Sequence, residues 1–249
     1  VIFNAKDAKG AQRAQRKNCL CVKKIHVWQE KFSIMQLELS QITVPPGSQL
    51  LLENVSWQMF EKILDELGES RATRLSYSQG VLEIMTPLFE HENNKEIIGD
   101  LVKALLEELD IEFRSAGSTT LKNQNMSQAL EPDECFYIKN EAAIRGKKKI
   151  DLNVDLPPDL AIEIDITART HLNNYQVLGV PELWRYNGKS LEINVLQAGQ
   201  YVQSDSSLNF PNLPVKTVIP QYLEQSKIIG RNATMKAFRR WVRESIASQ

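Results

Sequence analysis

The feature that most constrains this chain is a pair of short apolar runs of strand type, each carrying acid: EPDECFYI (131–138) and DLAIEIDIT (159–167). A strand sends successive side chains to opposite faces. In the second run Leu160, Ile162, Ile164 and Ile166 therefore share one face, and Ala161, Glu163, Asp165 and Thr167 share the other. In the first run Asp133 shares a face with Cys135 and Tyr137, while Phe136 and Ile138 point oppositely. If the two strands pair, Asp133 and Glu163 meet about a strand spacing apart above one surface of the sheet, which suits a divalent cation. Like charges held so close repel and push one pKa upward, so a cation or a proton is expected between them.

The rest of the pattern builds a sheet and its cover. Ser56 is an N-cap for WQMFEKILDEL, where Trp57, Phe60, Ile63, Leu64 and Leu67 recur at helical spacing before the stop at Gly68. RLSYSQGVLEIMTP alternates across Ser78-Gln79-Gly80 as a hairpin does. A helix over roughly 90–109 follows, with Ile97, Ile98, Leu101, Leu105 and Leu109 on its buried stripe and Glu90, His91 and Glu92 in its first turn. For His91 two readings stand: a structural histidine at the helix start, or a place at the rim of an active site.

IEFRSAGSTTLK (111–122) reads as one more strand. The polar stretch before DLAIEIDIT holds RGKKKID (145–151), whose Lys147, Lys148 and Lys149 either meet phosphate or form a solvated turn. A short helix, THLNNYQVLG, is expected to be capped by Thr170 and closed by Gly179, which puts His171 in its first turn. Alternating strands with turns at Asn187-Gly188 and Ala198-Gly199 follow. Two terminal helices, QYLEQSK and ATMKAFRRWVRES, end the pattern, with Arg239, Arg240 and Arg243 on a basic outer face.

Charge is uneven along the chain. Residues 1–31 hold eight Lys or Arg against Asp7 and Glu30; of the 30 basic and 31 acidic residues in all, that leaves 22 basic against 29 acidic for the remainder. A globular part so acidic lacks the broad basic footprint of a tight, nonspecific nucleic-acid binder. Residues 1–34 read as a basic extension: a flexible arm, an arm on phosphate, or sequence upstream of an initiator at Met35. Residues 35–249 are expected to form one domain, with a core over about 81–200 and a C-terminal helical part over 220–246. Cys19, Cys21 and Cys135 are an odd set without metal spacing, which points to a reducing cytoplasmic setting. No membrane span and no signal-peptide pattern is legible, and no motif for an organic cofactor.

The run GVLEIMTP, a helix opening His-Glu, a strand opening EPD, the run PPDLAIEI and then YQVLGVPELWRY resemble the Uma-type restriction endonuclease family abundant in cyanobacteria, a branch of the PD-(D/E)XK nucleases. The resemblance spans about residues 50–246. It implies an α/β, restriction-endonuclease-like fold: a central mixed β-sheet flanked by helices, with an N-terminal helix and hairpin and C-terminal helices.

By position, Pro132-Asp133 matches the PD element and Glu163 the acidic (D/E) position. Asp165 falls where the superfamily has Lys; His171, Lys122 or no residue replaces that cation. The implied activity is hydrolysis of DNA phosphodiester bonds. Mg²⁺ (or Mn²⁺) would be held by Asp133, Glu163 and the backbone carbonyl of Ile164. Asp165 would serve a second cation or the attacking water, and His171 would serve as base or electrostatic stabiliser. A homodimer is expected from the same resemblance. The alternative is a nuclease-like fold kept as a binding or regulatory module.

Overall fold

In the computed structural model, residues 38–68, 71–166 and 170–248 are described, within the unit Leu37–Gln249. The 1–34 extension, Met35, Cys19 and Cys21 lie outside the described residues. Chain order begins with β1 (Gln49–Leu52) and α1 (Trp57–Leu67). The Ser56 hydroxyl accepts from the Met59 N–H at 3.2 Å, and Gly68 closes the helix at φ 67°, where a side chain would be strained. The hairpin is β2 (Arg74–Ser78) and β3 (Val81–Met85), turned by two positive-φ residues, Gln79 and Gly80. That geometry matches the strand twist. Phe60 of α1, fully buried, stacks on Tyr77 of β2 with ring centroids 4.8 Å apart.

Next comes α2 (Phe89–Glu108), then β4 (Arg114–Ser115), β5 (Leu121–Asn123), β6 (Gln128–Leu130), β7 (Glu134–Tyr137) and a single turn of helix, α3 (Glu141–Ile144). The chain continues through β8 (Leu160–Ile164), α4 (Leu172–Val177), β9 (Glu182–Tyr186), β10 (Leu191–Gln197) and β11 (Gln200–Ser204). It closes with α5 (Val215–Ile229) and α6 (Arg231–Ala247).

Two sheets result. The central one is mixed, in the order β11-β10-β9-β8-β7-β4, and β8–β9 is its parallel pair. Parallel neighbours need a crossover, which α4 provides. The second sheet, β1-β3-β2-β6-β5, is antiparallel throughout; beyond its β2–β3 hairpin it is not legible in the sequence. Its strands β5 and β6 have three residues each, too few to display a period. One face of the central sheet carries Phe136, Leu160, Ile162, Ile164 and Trp184 against α2, α5 and α6. The opposite face carries Cys135, Ala161 and Leu183 against Tyr175 and Leu178, which belong to α4 and its end. Gly99 inside α2 makes room for a neighbour: a Cβ there would lie 3.2 Å from the Glu134 carboxyl group.

Several expectations are corrected. The run 111–122 is not one strand; it breaks at Gly117, φ 50°, and its halves β4 and β5 join different sheets. α4 is capped at His171, because the Thr170 hydroxyl is drawn away to Asp165. α5 starts at Val215, six residues before QYLEQSK, and passes through Pro220, a residue that normally ends a helix. Of the basic face on α6, Arg239 pairs with Glu107 and Glu108, and Arg243 with Glu108; these pairs tie α6 to α2. Lys147 of the lysine run pairs with Asp155. Among the described residues no helix is long and apolar enough to cross a membrane.

Candidate active site

The site is built where β7 and β8 meet. Their antiparallel register sets Glu134 opposite Ile162 and Cys135 opposite Ala161, so Asp133 and Glu163 are the next opposing pair. Both carboxylates fall on the α4 side of the sheet. Asp133, 2 % exposed, accepts a hydrogen bond at Oδ2 from the Ile164 N–H at 2.8 Å. His91 Nε2, from the first turn of α2, lies 3.0 Å from the same oxygen. Glu163 accepts a hydrogen bond at Oε1 from the Tyr175 hydroxyl of α4.

The electrostatics follow from burial and crowding. Burial and then the charge of Asp133 hold the Glu163 carboxyl well above the usual carboxylate range, with only the Tyr175 hydrogen bond opposing. Tyr175 is pushed up by burial and by Glu163. For His91 burial favours the neutral ring, but the contacts with Asp133 and Glu92 outweigh it and raise the imidazole to about 9. Its other nitrogen, Nδ1, is 3.5 Å from Glu92 Oε1. Glu92 in turn is lowered to about 2, chiefly by His91 against the opposing effect of burial, with help from Lys95 and Arg74.

A buried acid on a strand need not be a site. Glu182, fully buried in this sheet, is satisfied by Trp184 Nε1 at 2.6 Å and by the Leu208 and Asn209 N–H groups at 2.9 and 3.2 Å, and so is part of the scaffold. Glu163 differs, because it faces another acid and lines a cavity of ≈ 80 Å³. The walls of that cavity come from both sheets: Arg74, Ser76 and Glu83 from the hairpin, His91 from α2, and His171, Asn174 and Tyr175 from α4 and its cap.

The other sequence-derived candidates are dispersed. Asp165 is sequestered: its Oδ1 accepts from the Thr170 N–H at 2.9 Å and from the Thr170 hydroxyl, and its Oδ2 from Arg185 Nε at 2.8 Å and Nη2. With both oxygens occupied it is a buried anchor rather than a free ligand for a second cation. His171 is on the rim, its side chain 70 % exposed and its Nε2 3.8 Å from Glu83. Lys122 turns away from the acids and pairs with Glu61 of α1 at 3.0 Å. The Ile164 carbonyl already accepts from the Ile166 N–H at 3.0 Å and keeps one lone pair.

Three wall residues escaped the sequence reading. Tyr175 lies in the YQVLG run, which reads as a plain packing helix. Glu131, at the head of EPD, anchors Arg71, the Leu75 N–H and the Thr120 hydroxyl. Arg74 opens a hairpin strand far from either acidic run.

Among the described residues no cluster of three His, Cys, Asp or Glu side chains is arranged to hold a metal. Two facing carboxylates that resist joint ionisation still fit a hard cation such as Mg²⁺, which takes one or two carboxylates and keeps several waters.

Comparison with known proteins gives two similarities. The family model described as "Uma2: Putative restriction endonuclease" matches residues 57–226. A crystal structure described as "a putative nuclease belonging to DUF820", from Anabaena variabilis ATCC 29413, is 15% identical with a TM-score of 0.47; the match covers 67% of this chain and 97% of that one. A search of curated proteins finds no match.

Proposed function

This chain belongs to the Uma2 restriction endonuclease family, and we propose that it is a divalent-metal-dependent endonuclease hydrolysing DNA phosphodiester bonds. The observation that carries the reading is the Asp133–Glu163 pair, opposed across β7 and β8, with Asp133 buried and Glu163 half-buried and open to a cavity. Asp133, Glu163 and the Ile164 carbonyl would hold Mg²⁺ or Mn²⁺, with waters completing the shell. Bound there, the cation supplies Lewis-acid polarisation of the phosphodiester and a lowered pKa for the attacking water.

The chain's own residues orient and transfer protons. His91 and the Ile164 N–H fix the Asp133 carboxylate, and the Tyr175 hydroxyl fixes that of Glu163. Both acids are thus held in place before substrate arrives, and preorganisation of this kind is a large share of catalytic power. His171 on the rim would take the proton from the attacking water. A P–O bond then forms to the water oxygen, one P–O ester bond breaks, and the leaving sugar oxygen takes a proton from solvent. Asp165 has no part in these steps beyond holding Arg185 and Thr170.

A second reading, a nuclease-fold module that binds without cutting, is favoured by one observation: both acids already have donors from the protein, His91 and Ile164 for Asp133 and Tyr175 for Glu163. Supercoiled plasmid incubated with the protein and Mg²⁺ or Mn²⁺ separates the two. Nicking or linearisation by the wild type, lost in Asp133→Ala and Glu163→Gln, is the expected result. Cleavage surviving both substitutions, or none with any divalent cation, would remove the enzymatic reading. A homodimer acting on both strands, in a reducing cytoplasm that keeps the buried thiol of Cys135 free, belongs to the same proposal, and light scattering of the purified chain tests the dimer.

A further inference from the structure

The cavity beside Glu163 is acidic, and an anionic substrate needs a cationic partner in it. Glu83, Glu131 and Glu163 line it, and of the described lining residues Arg74 is the sole Lys or Arg. The alternation of β2 explains its direction. Leu75 and Tyr77 are buried in the α1 core with Phe60 and Ile84, so Arg74 and Ser76 face the other way. That way is the acid site, because Ser76 Oγ accepts from Asn174 Nδ2 of α4 at 3.0 Å. The strand is held there a second time: the Leu75 N–H donates to Glu131 Oε2 at 3.1 Å, two residues before Asp133.

The Arg74 guanidinium is poorly matched by the protein. Its ion pair is a loose one, 3.6 Å from Glu92 Oε1, and its Nε is buried without a hydrogen-bond partner. Arg71 also has a buried Nε without a partner, but both of its Nη nitrogens are hydrogen-bonded, to the Gly68 carbonyl and to Glu131, and Arg185 bonds Asp165 by two nitrogens; among the described residues no hydrogen bond of that kind holds the Arg74 guanidinium. A buried, unpaired donor on a cation is costly, and a phosphate would satisfy it. The planar fork of a guanidinium matches two phosphate oxygens.

We propose, resting on the nuclease reading, that Arg74 is the residue that grips the phosphodiester, donating to its non-bridging oxygens across the cavity from Glu163. The antiparallel sheet then has a catalytic duty: it brings the cation to acids that the central sheet supplies.

The test is binding of a fluorescein-labelled 12-base-pair duplex to the full chain in EDTA, by anisotropy over a salt series. Arg74→Gln should weaken binding about tenfold and reduce the log–log salt slope by about one, with an unchanged melting temperature. Should Arg74→Gln melt early, the comparison passes to Arg74→Lys, which keeps the charge but loses the fork; a severalfold loss is then expected. Unchanged affinity and slope in the variant that folds, or no binding by the wild type, would overturn the proposal. Plasmid cleavage, assayed beside it, separates the two claims. Weaker binding by the variant together with an inactive wild type leaves Arg74 in place and removes the nuclease reading. Equal cleavage by wild type and Arg74→Gln removes Arg74 and leaves the nuclease.

Discussion

His91 Nε2 and Asp133 Oδ2 are 3.0 Å apart, both groups buried, one at the start of α2 and the other immediately before β7. This contact ties the helix layer to the acid pair, and it makes stability depend on pH. With its folded pKa raised to about 9 from an ordinary 6.5, protonated His91 stabilises the fold fully below pH 6.5 and loses that contribution as pH rises through 9. Urea unfolding of wild type and His91→Gln from pH 6 to 10 should show a gap of order 3 kcal/mol at the acid end, closing towards pH 10. A gap independent of pH would mean that the ring acts by packing alone.

Glu163 has the opposite consequence. Its folded pKa lies above the ordinary carboxylate value because of burial and Asp133, so the native state prefers it protonated. Its favourable contribution is complete below the ordinary value and is lost as pH climbs through the raised one. Glu163→Gln should therefore melt a few degrees higher than wild type at pH 8 in EDTA and no higher at pH 4. Mn²⁺ should narrow the pH 8 difference by stabilising wild type alone. Differential scanning fluorimetry reads all three conditions, and equal melting at pH 8 would contradict the crowding of the two acids.

Arg185 and Asp165 form a buried, two-nitrogen pair, each side chain less than a tenth exposed. Removing the cation strands the anion, so Arg185→Ala should cost ~3–5 kcal/mol, and Arg185→Lys should recover only part because one point charge cannot replace the fork. Denaturant midpoints measure both. A loss below ~1 kcal/mol would show the pair to be screened as a surface pair is.

The Asn174–Ser76 hydrogen bond joins α4 to β2 in the wall of the cavity. Asn174→Ala should lower stability by ~1 kcal/mol and weaken duplex binding, since Arg74 shares its strand face with Ser76. Normal duplex binding in a folded Asn174→Ala protein would show that β2 holds its place without the tie.

Where the sequence carried a strong local signal, the structure agrees with it. The Ser56 cap, the Gly68 stop, the hairpin at Gln79-Gly80 and the apolar stripe of α2 are each written into adjacent residues. The meeting of Asp133 and Glu163 was legible as well, because a period of two and one antiparallel pairing suffice to place both carboxylates on one face. His91 could only be left between two readings, since its neighbour Asp133 is 42 residues away along the chain. The pairing of Asp165 was not legible, because Arg185, which sequesters it, arrives from β9.

By itself, then, the order of residues determined the helices with caps, the strands with a clear alternation, and the acid-bearing faces of β7 and β8, all of which follow from backbone geometry over a few residues. Tertiary structure alone decided the joining of β1, β5 and β6 to the hairpin as a second sheet, the bond from Tyr175 to Glu163, the sequestering of Asp165 and the aim of Arg74 into the cavity. Each of these depends on which distant groups share a buried, poorly screened space, where hydrogen bonds and charges act strongly. No local period encodes that proximity.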